Sequence, residues 1–197
     1  SEKIYPYLSE SLKIFERNNI KETKTKTKSY EYFLLGENRI GFSIMKTFGK
    51  LKKEYVVIDY NPEIIKRLNL EGIPCMYGDI SNIDFIENLN FKDAKLIVST
   101  IPDKETNIMM IRHIRRINKN VINLVTSRDI SETLELYNNG ADYVMMSHFL
   151  GGEYMSKIIE HAKENRFKYK KQRMIQKKEL EERIDRRQEH PKIDKNK

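Results

Sequence analysis

Residues 36–41, with the sequence GENRIG, have the residue types and spacing that bind a phosphate group. The first and last glycines keep their places in the dinucleotide fingerprint G-x-G-x-x-G, and Asn38 replaces the middle glycine. Gly36 would allow a sharp turn, and Gly41 would let the next helix pack closely on the preceding strand. The amides and positive dipole end of that helix would face the phosphate. A tight turn without a ligand stays an alternative, because the middle glycine normally lets the backbone approach a pyrophosphate.

A carboxylate follows this segment at the distance expected in a nucleotide site. Asp59 ends the apolar run YVVID, 23 residues after Gly36. There it could accept hydrogen bonds from both hydroxyls of an adenosine ribose, and it would repel a 2′-phosphate. The predicted ligand is therefore NAD or a plain adenine nucleotide, and a cap on the following helix is the alternative role for Asp59.

Two further segments end predicted strands at the same edge of the sheet. Asp79, in the sequence YGD, could contact the adenine or cap the next helix. In the sequence STIPD, Ser99 and Thr100 could contact phosphate or ribose, or the loop could only turn into a helix. Ligands of parallel sheets bind beyond the carboxyl ends of neighbouring strands, so we expect residues 99–103 to face residues 36–41.

The elements that must position these residues alternate along the chain. Apolar and β-branched runs predict strands at residues 30–35, 55–59, 73–77, 95–100, 121–126 and 142–146. Helical periodicity predicts helices at residues 39–48, 62–70, 83–88, 106–117 and 130–137. This alternation indicates a Rossmann-like, doubly wound α/β fold with a six-stranded parallel sheet. Gly151 and Gly152 are expected to interrupt the chain, with a long helix from Glu153 onward.

Three regions are expected along the 197 residues. We expect residues 1–28 to form a helix and a Lys/Thr linker, residues 29–147 the nucleotide-binding domain, and residues 148–197 a helix with a charged, partly disordered tail. Residues 163–197 hold 14 Lys and Arg against 7 Asp and Glu, so the net charge of +8 belongs mainly to the tail. Interleaved acids favour a solvated helix, and we expect no nucleic-acid partner. The four histidines have no spacing typical of a zinc site, and no metal is expected.

Five sequence blocks resemble, in order and spacing, the N-terminal lobe of RCK domains, the regulators of potassium conductance. They are GxNRxG at 36–41, VIDxNP at 57–62, YGD at 77–79, TIPDxETN at 100–107 and GADYV at 140–144. Residues 147–153, SHFLGGE, are similar to the form fused to Kef-type monovalent cation:proton antiporters. That form also lacks the C-terminal ligand lobe of the family.

The resemblance implies a regulatory domain on the cytoplasmic side of the cell membrane, not an enzyme. A nucleotide, NAD(H) or AMP, would bias a homodimer and so gate the transport of K⁺ or Na⁺. An integral membrane cation transporter is the expected partner, and it is expected to lie upstream of Ser1 in the same polypeptide. The helix from Phe149 would dimerise through Met155, Ile158 and Ile159.

The resemblance and the patterns above together select the candidate site. The predicted nucleotide contacts are Gly36, Asn38, Arg39, Ile40, Gly41, Asp59, Tyr60, Asp79, Ile80, Ser99, Thr100 and Ile101. Among them, Arg39 is the side chain expected to reach a phosphate, and Arg128 is a weaker candidate. No catalytic residue is predicted, and a small NAD-dependent oxidoreductase is the alternative function.

Overall fold

The computed structural model describes residues 30–185. The predictions for residues 1–28 and for the end of the tail lie outside the described residues. Within them, strands and helices alternate from the start of the sheet to its last strand. The strands are β1 (Tyr32–Leu35), β2 (Tyr55–Asp59), β3 (Cys75–Tyr77), β4 (Leu96–Ser99), β5 (Ile122–Ser127) and β6 (Tyr143–Met146). The helices are α1 (Arg39–Lys50), α2 (Pro62–Leu70), α3 (Ile83–Glu87), α4 (Lys104–Ile117), α5 (Ile130–Asn138), α6 (Ser147–Ala162) and α7 (Arg166–Asp185).

The six strands form one parallel sheet in the order β3-β2-β1-β4-β5-β6. The order reverses between β1 and β4, which pair in register from Tyr32 opposite Leu96 to Leu35 opposite Ser99. This arrangement confirms the predicted doubly wound fold and the long C-terminal helical region. The switch point, where such sheets bind ligands, lies beyond the ends of β1 and β4.

Both faces of the sheet are buried under helices. Leu34, Val57 and Val98 face α1 and α2 in one apolar cluster, which also holds residues of α1 such as Phe42. The residues next to these three in each strand, Leu35, Ile58 and Ile97, point to the other face and pack against α4 and α5. The two cores explain why the strands read as continuous apolar runs rather than as alternating ones.

Short polar side chains fix where the helices around the sheet begin. A side-chain oxygen of the preceding Asn or Asp accepts a hydrogen bond from a first-turn amide in each of α1 to α5. The five capping residues are Asn38, Asn61, Asn82, Asp103 and Asp129. These caps place the start of each helix at the edge of the sheet where the predicted site lies.

The predicted interruption at Gly151 and Gly152, with a helix only from Glu153, is wrong. α6 begins at Ser147 and runs through both glycines. A glycine inside a helix costs about 1 kcal/mol relative to alanine, which does not prevent a helix whose neighbours propagate it. The chain breaks later, at Lys163, whose φ is +47°.

The last described helix, α7, contacts α1. Glu182 pairs with Lys46 at 2.5 Å, and Arg183 donates to the carbonyl oxygen of Arg39 at 2.9 Å. Arg183 also lies over the ring of Phe42. None of the residues of α7 is buried, in keeping with the predicted solvated helix. Between residues 30 and 185, no helix has both the length and the apolar character needed to cross a membrane.

Candidate functional site

A cleft of about 360 Å³ lies at the carboxyl ends of β1 to β4. Eight of the twelve predicted site residues line it, namely Gly36, Asn38, Asp59, Tyr60, Asp79, Ile80, Thr100 and Ile101. Arg39 and Ile40 line a smaller, adjoining cleft of about 240 Å³ near the end of β5. Gly41 and Ser99 line neither of these two clefts. The structure therefore gathers most of the predicted residues around the larger cleft. Arg39 and Ile40 lie in the smaller cleft, and Gly41 and Ser99 are buried.

The turn after β1 depends on two glycines. Gly36 has a φ of +87°, a conformation that other residues rarely adopt. A Cβ atom on Gly41 would lie 2.2 Å from the carbonyl oxygen of Gly36, so a side chain there would push α1 away from the turn. The turn is thus sharp and α1 packs tightly against it, as the spacing of the glycines predicts.

Asn38 closes the start of α1. Its Oδ1 accepts hydrogen bonds from the amides of Ile40 at 2.9 Å and Gly41 at 3.0 Å. Its Nδ2 donates to the carbonyl oxygen of Thr100 at 2.8 Å, across the switch point. We call this last contact the Asn38–Thr100 bridge. Asn38 therefore uses both ends of its amide, one on the helix and one on the loop after β4.

Asp59 lies at the end of β2, and only 7% of it is exposed. Its Oδ2 accepts from the amide of Glu37 at 2.7 Å, and its Oδ1 accepts from the amide of Asn61 at 2.8 Å. An ionised carboxylate offers about four acceptor positions, so these two bonds leave about two for a ligand in the cleft. The cap of α2 is Asn61, so Asp59 does not have the capping role considered as its alternative.

A partly buried ion pair beneath the turn was not predicted from the sequence. Glu37 is 2% exposed, and its carboxylate contacts the guanidinium of Arg67 in α2. The pair joins the turn after β1 to the helix that follows β2, beside Asp59. No sequence signal identifies it, because the fingerprint leaves the residue after the first glycine unspecified.

The turn after β3 forms the far side of the cleft. The Oδ1 of Asp79 accepts hydrogen bonds from the amide and the hydroxyl of Ser81, both at 2.8 Å. Asn82, not Asp79, caps α3. Ile80 is buried and offers an apolar surface to the cleft, whereas Tyr60 is 72% exposed at its mouth.

The loop after β4 is tied to the turn after β1. The hydroxyl of Thr100 donates to the carbonyl oxygen of Gly36 at 2.8 Å. Ser99 is fully buried, and its hydroxyl accepts a hydrogen bond from the amide of Ile101 at 3.3 Å. Asn107 in α4 donates to the carbonyl oxygen of Ile101 at 2.8 Å. Thr100 thus faces the cleft, while Ser99 and Asn107 hold the loop from behind.

The smaller cleft carries cationic side chains. Arg39 and Arg128 line it, together with His148 in the first turn of α6. This first turn has no side-chain cap. The two clefts share three lining residues, which are Asn38, Thr100 and Pro102. The smaller cleft, with two arginines in its lining, is therefore the one suited to negative charge.

Two groups near the site have shifted pKa values. The side chain and the amide of Thr106 hydrogen-bond to Asp103, the cap of α4, and hold the pKa of its carboxyl below the ordinary value. Burial raises the pKa of the Cys75 thiol in β3 above its ordinary value. Within residues 30–185, no three His, Cys, Asp or Glu side chains gather as possible metal ligands.

The Glu37–Arg67 ion pair predicts a stability effect. Replacing Arg67 with Met should lower the free energy of unfolding by about 2 kcal/mol, because the buried Glu37 carboxylate loses its counter-charge. Urea unfolding measures the effect. Lys66→Met, at an exposed position in the same helix, serves as the control and should change stability by less than about 0.5 kcal/mol. Equal effects of the two substitutions would contradict a structural role for the pair.

A family model decides what kind of domain this is. Residues 32–147, from the start of β1 to the first residue of α6, match the TrkA-N domain. The chain belongs to the TrkA-N family. The match covers every strand of the sheet, the larger cleft and all of the smaller cleft except His148, and it confirms the RCK-type resemblance.

Relatives of this TrkA-N chain include ion transport proteins. Potassium channel protein 1 of Methanocaldococcus jannaschii is 24% identical over 130 residues, which are 64% of this chain and 39% of the channel protein. The putative K(+) efflux antiporter KefB of Alkalimonas amylolytica is 26% identical over 112 residues, 57% of this chain and 17% of the antiporter. The chain thus spans well under half the length of either relative.

Solved structures show the same fold. The TrkA-N domain of the inner membrane protein ybaL from Escherichia coli has a TM-score of 0.62 at 18% identity, covering 67% of this chain and 98% of that one. The Kef CTD of Shewanella denitrificans, in an AMP-bound form, has a TM-score of 0.55 at 15% identity. The match covers 75% of this chain and 91% of the Kef CTD chain. The GsuK channel bound to NAD has a TM-score of 0.54 at 15% identity. The match covers 72% of this chain and 26% of the channel chain.

Proposed function

We propose that this TrkA-N domain is a nucleotide-sensing regulatory domain of a membrane transport protein for K⁺ or another monovalent cation. The observation that carries the proposal is the position of Asp59, which lines a cleft with the turn after β1 and keeps acceptor positions for a ligand. The relatives that transport K⁺, and the AMP- and NAD-bound structures of the same fold, support it.

The cleft suits an adenosine moiety. Asp59 would accept hydrogen bonds from the two ribose hydroxyls, and Ile80 and Ile101, which line the same cleft, would pack against the purine. The phosphate would extend toward Asn38 and the cationic side chains of the smaller cleft. AMP and NAD(H) are the adenine nucleotides we propose as ligands, with Asp59 as the principal contact to the ribose and Arg39 as the positive charge that attracts the phosphate.

A homodimer formed through α6 would carry the signal. Ala162 is the one buried residue of this 16-residue helix. Met155 and Ile159 are more than half exposed, Ile158 is half-buried, and their spacing places them on one face of the helix. We propose that α6 of one subunit packs on a second copy, on the cytoplasmic side of the membrane.

The smaller cleft connects the ligand to this interface. Ser147 and His148, the first two residues of α6, line it beside Arg39. A phosphate bound beside Asn38, where the two clefts meet, would therefore influence the start of the dimerising helix through the charged lining of the smaller cleft. A ligand shifts such an equilibrium only by its differential affinity for the two states, and a change from 1:99 to 99:1 needs roughly 5.5 kcal/mol. Two symmetric sites would share that requirement.

No observation favours the alternative of a small NAD-dependent oxidoreductase. The described residues that follow β6 form two helices, so residues 147–185 contain no second domain to hold a substrate. Regulation without catalysis is the proposal that agrees with both the relatives and this arrangement.

Ion flux measures the proposed regulation directly. The intact transport protein that carries this domain is reconstituted in vesicles, and cation flux is followed with and without AMP or NAD on the domain side. We expect a nucleotide to change the flux severalfold in the wild type and to have no effect on the Asp59→Ala variant. Flux that is insensitive to nucleotides, in a protein whose domain binds them, would refute the regulatory role.

A further inference from the structure

We infer that the Asn38–Thr100 bridge makes this domain select a nucleoside monophosphate over a dinucleotide. The inference rests on the proposed function, which it narrows to one ligand class. Asn38 stands where the dinucleotide fingerprint has its middle glycine. The fingerprint places a glycine there so that the backbone can approach a pyrophosphate.

The bridge lies where a dinucleotide would have to pass. A dinucleotide places one nucleoside in each half of a doubly wound sheet and its pyrophosphate at the switch point between them. In this chain the halves correspond to the larger and the smaller cleft. Asn38, Thr100 and Pro102 line both clefts, and the Nδ2 of Asn38 is hydrogen-bonded to the Thr100 carbonyl at 2.8 Å. The bridge thus spans the passage that the pyrophosphate requires.

Asn38 also occupies the hydrogen-bond donors that a pyrophosphate would use. The amides of Ile40 and Gly41, at the start of α1, both donate to its Oδ1. Each amide has a single hydrogen, so a pyrophosphate can bind them only after the asparagine side chain leaves. A dinucleotide therefore has to break the two capping bonds and the bridge together.

A single phosphate meets neither obstacle. A nucleoside monophosphate fills the larger cleft and ends at the bridge, where Asn38 is exposed to solvent. Arg39 and Arg128 lie on the far side, in the smaller cleft, and attract the phosphate while the bridge stays closed. The energetic cost of opening the bridge consequently falls on the dinucleotide alone.

Calorimetric titration of the purified 197-residue chain with AMP and with NAD⁺ tests the inference. The wild type is compared with Asn38→Gly, which removes the side chain, and with Asn38→Ser. A serine still caps the helix, but its hydroxyl is too short to reach the Thr100 carbonyl. We expect the wild type to bind AMP more tightly than NAD⁺. The measured quantity is the dissociation constant for NAD⁺ divided by that for AMP, and both variants should lower this ratio at least about tenfold.

Asn82→Ser is the matched control, because it makes the same exchange at the cap of α3, outside the lining of both clefts. The Asn82→Ser variant should have the same ratio of NAD⁺ to AMP dissociation constants as the wild type. The inference is overturned if the wild type binds NAD⁺ as tightly as AMP, or if AMP binds but neither Asn38 variant lowers the ratio. Failure of the wild type to bind either nucleotide would instead refute the proposed function, and the inference with it.

Discussion

Replacing Asp59 with alanine is expected to weaken the binding of adenine nucleotides more than tenfold. The carboxylate is held by the amides of Glu37 and Asn61 and lines the cleft. Hydrogen bonds to a charged group contribute about 1.5–3 kcal/mol each, and 1.4 kcal/mol corresponds to tenfold in affinity. Loss of the two proposed bonds to the ribose therefore exceeds this threshold. Calorimetric titration with AMP measures the effect.

Asp84→Ala provides the comparison for Asp59→Ala. Asp84 is an exposed acid in the first turn of α3 and lines neither cleft, so its removal changes the charge of the domain without touching the proposed site. Its AMP affinity should match the wild type. Unchanged affinity in a folded Asp59→Ala variant would show that the ribose is not bound at the end of β2.

Gly41→Ala is expected to have the largest effect on stability, a loss of about 3 kcal/mol. The added Cβ would lie 2.2 Å from the carbonyl oxygen of Gly36, and this contact is with backbone, which cannot rotate away. Overpacking of this kind costs about 1–3 kcal/mol, and a rigid backbone contact belongs at the upper end. Thermal unfolding should show a melting temperature lower by about 10 °C.

The same helix contains a control for Gly41→Ala. A Cβ on Gly49 would meet no atom within 4 Å, so Gly49→Ala should raise the unfolding free energy by up to about 1 kcal/mol through helix propensity alone. Effects of opposite sign in one helix would establish that position 41 is limited by the turn after β1. A stable, nucleotide-binding Gly41→Ala variant would contradict the described packing.

Local rules in the sequence predict most of the fold. β2 and α2 lie where the pattern places them, at Tyr55–Asp59 and Pro62–Leu70, because a β-branched run is followed by Asn61 as a cap and a proline in the first turn. β3 is shorter than the predicted strand over residues 73–77. It pairs with β2 alone, so only Cys75–Tyr77 are held in the ladder.

The candidate site is only partly predictable, for a physical reason. Gly36 is predictable because a sharp turn needs a glycine, and Asp59 is predictable because it ends a β-branched run. Both signals lie within a few neighbouring residues. The Glu37–Arg67 pair joins residues 30 apart, and the Asn38–Thr100 bridge joins residues 62 apart. Such contacts exist only once the sheet has brought β1, β2 and β4 together, and no local pattern encodes them.

A crystal structure of this chain saturated with AMP shows directly whether Asp59 binds the ribose of an adenine nucleotide. We expect the nucleotide in the cleft at the ends of β1 to β4, with its ribose hydroxyls about 2.7 Å from the carboxylate oxygens of Asp59. The phosphate should lie beside Asn38. A nucleotide bound elsewhere on the chain, with Asp59 making no contact to it, would contradict the proposed binding site.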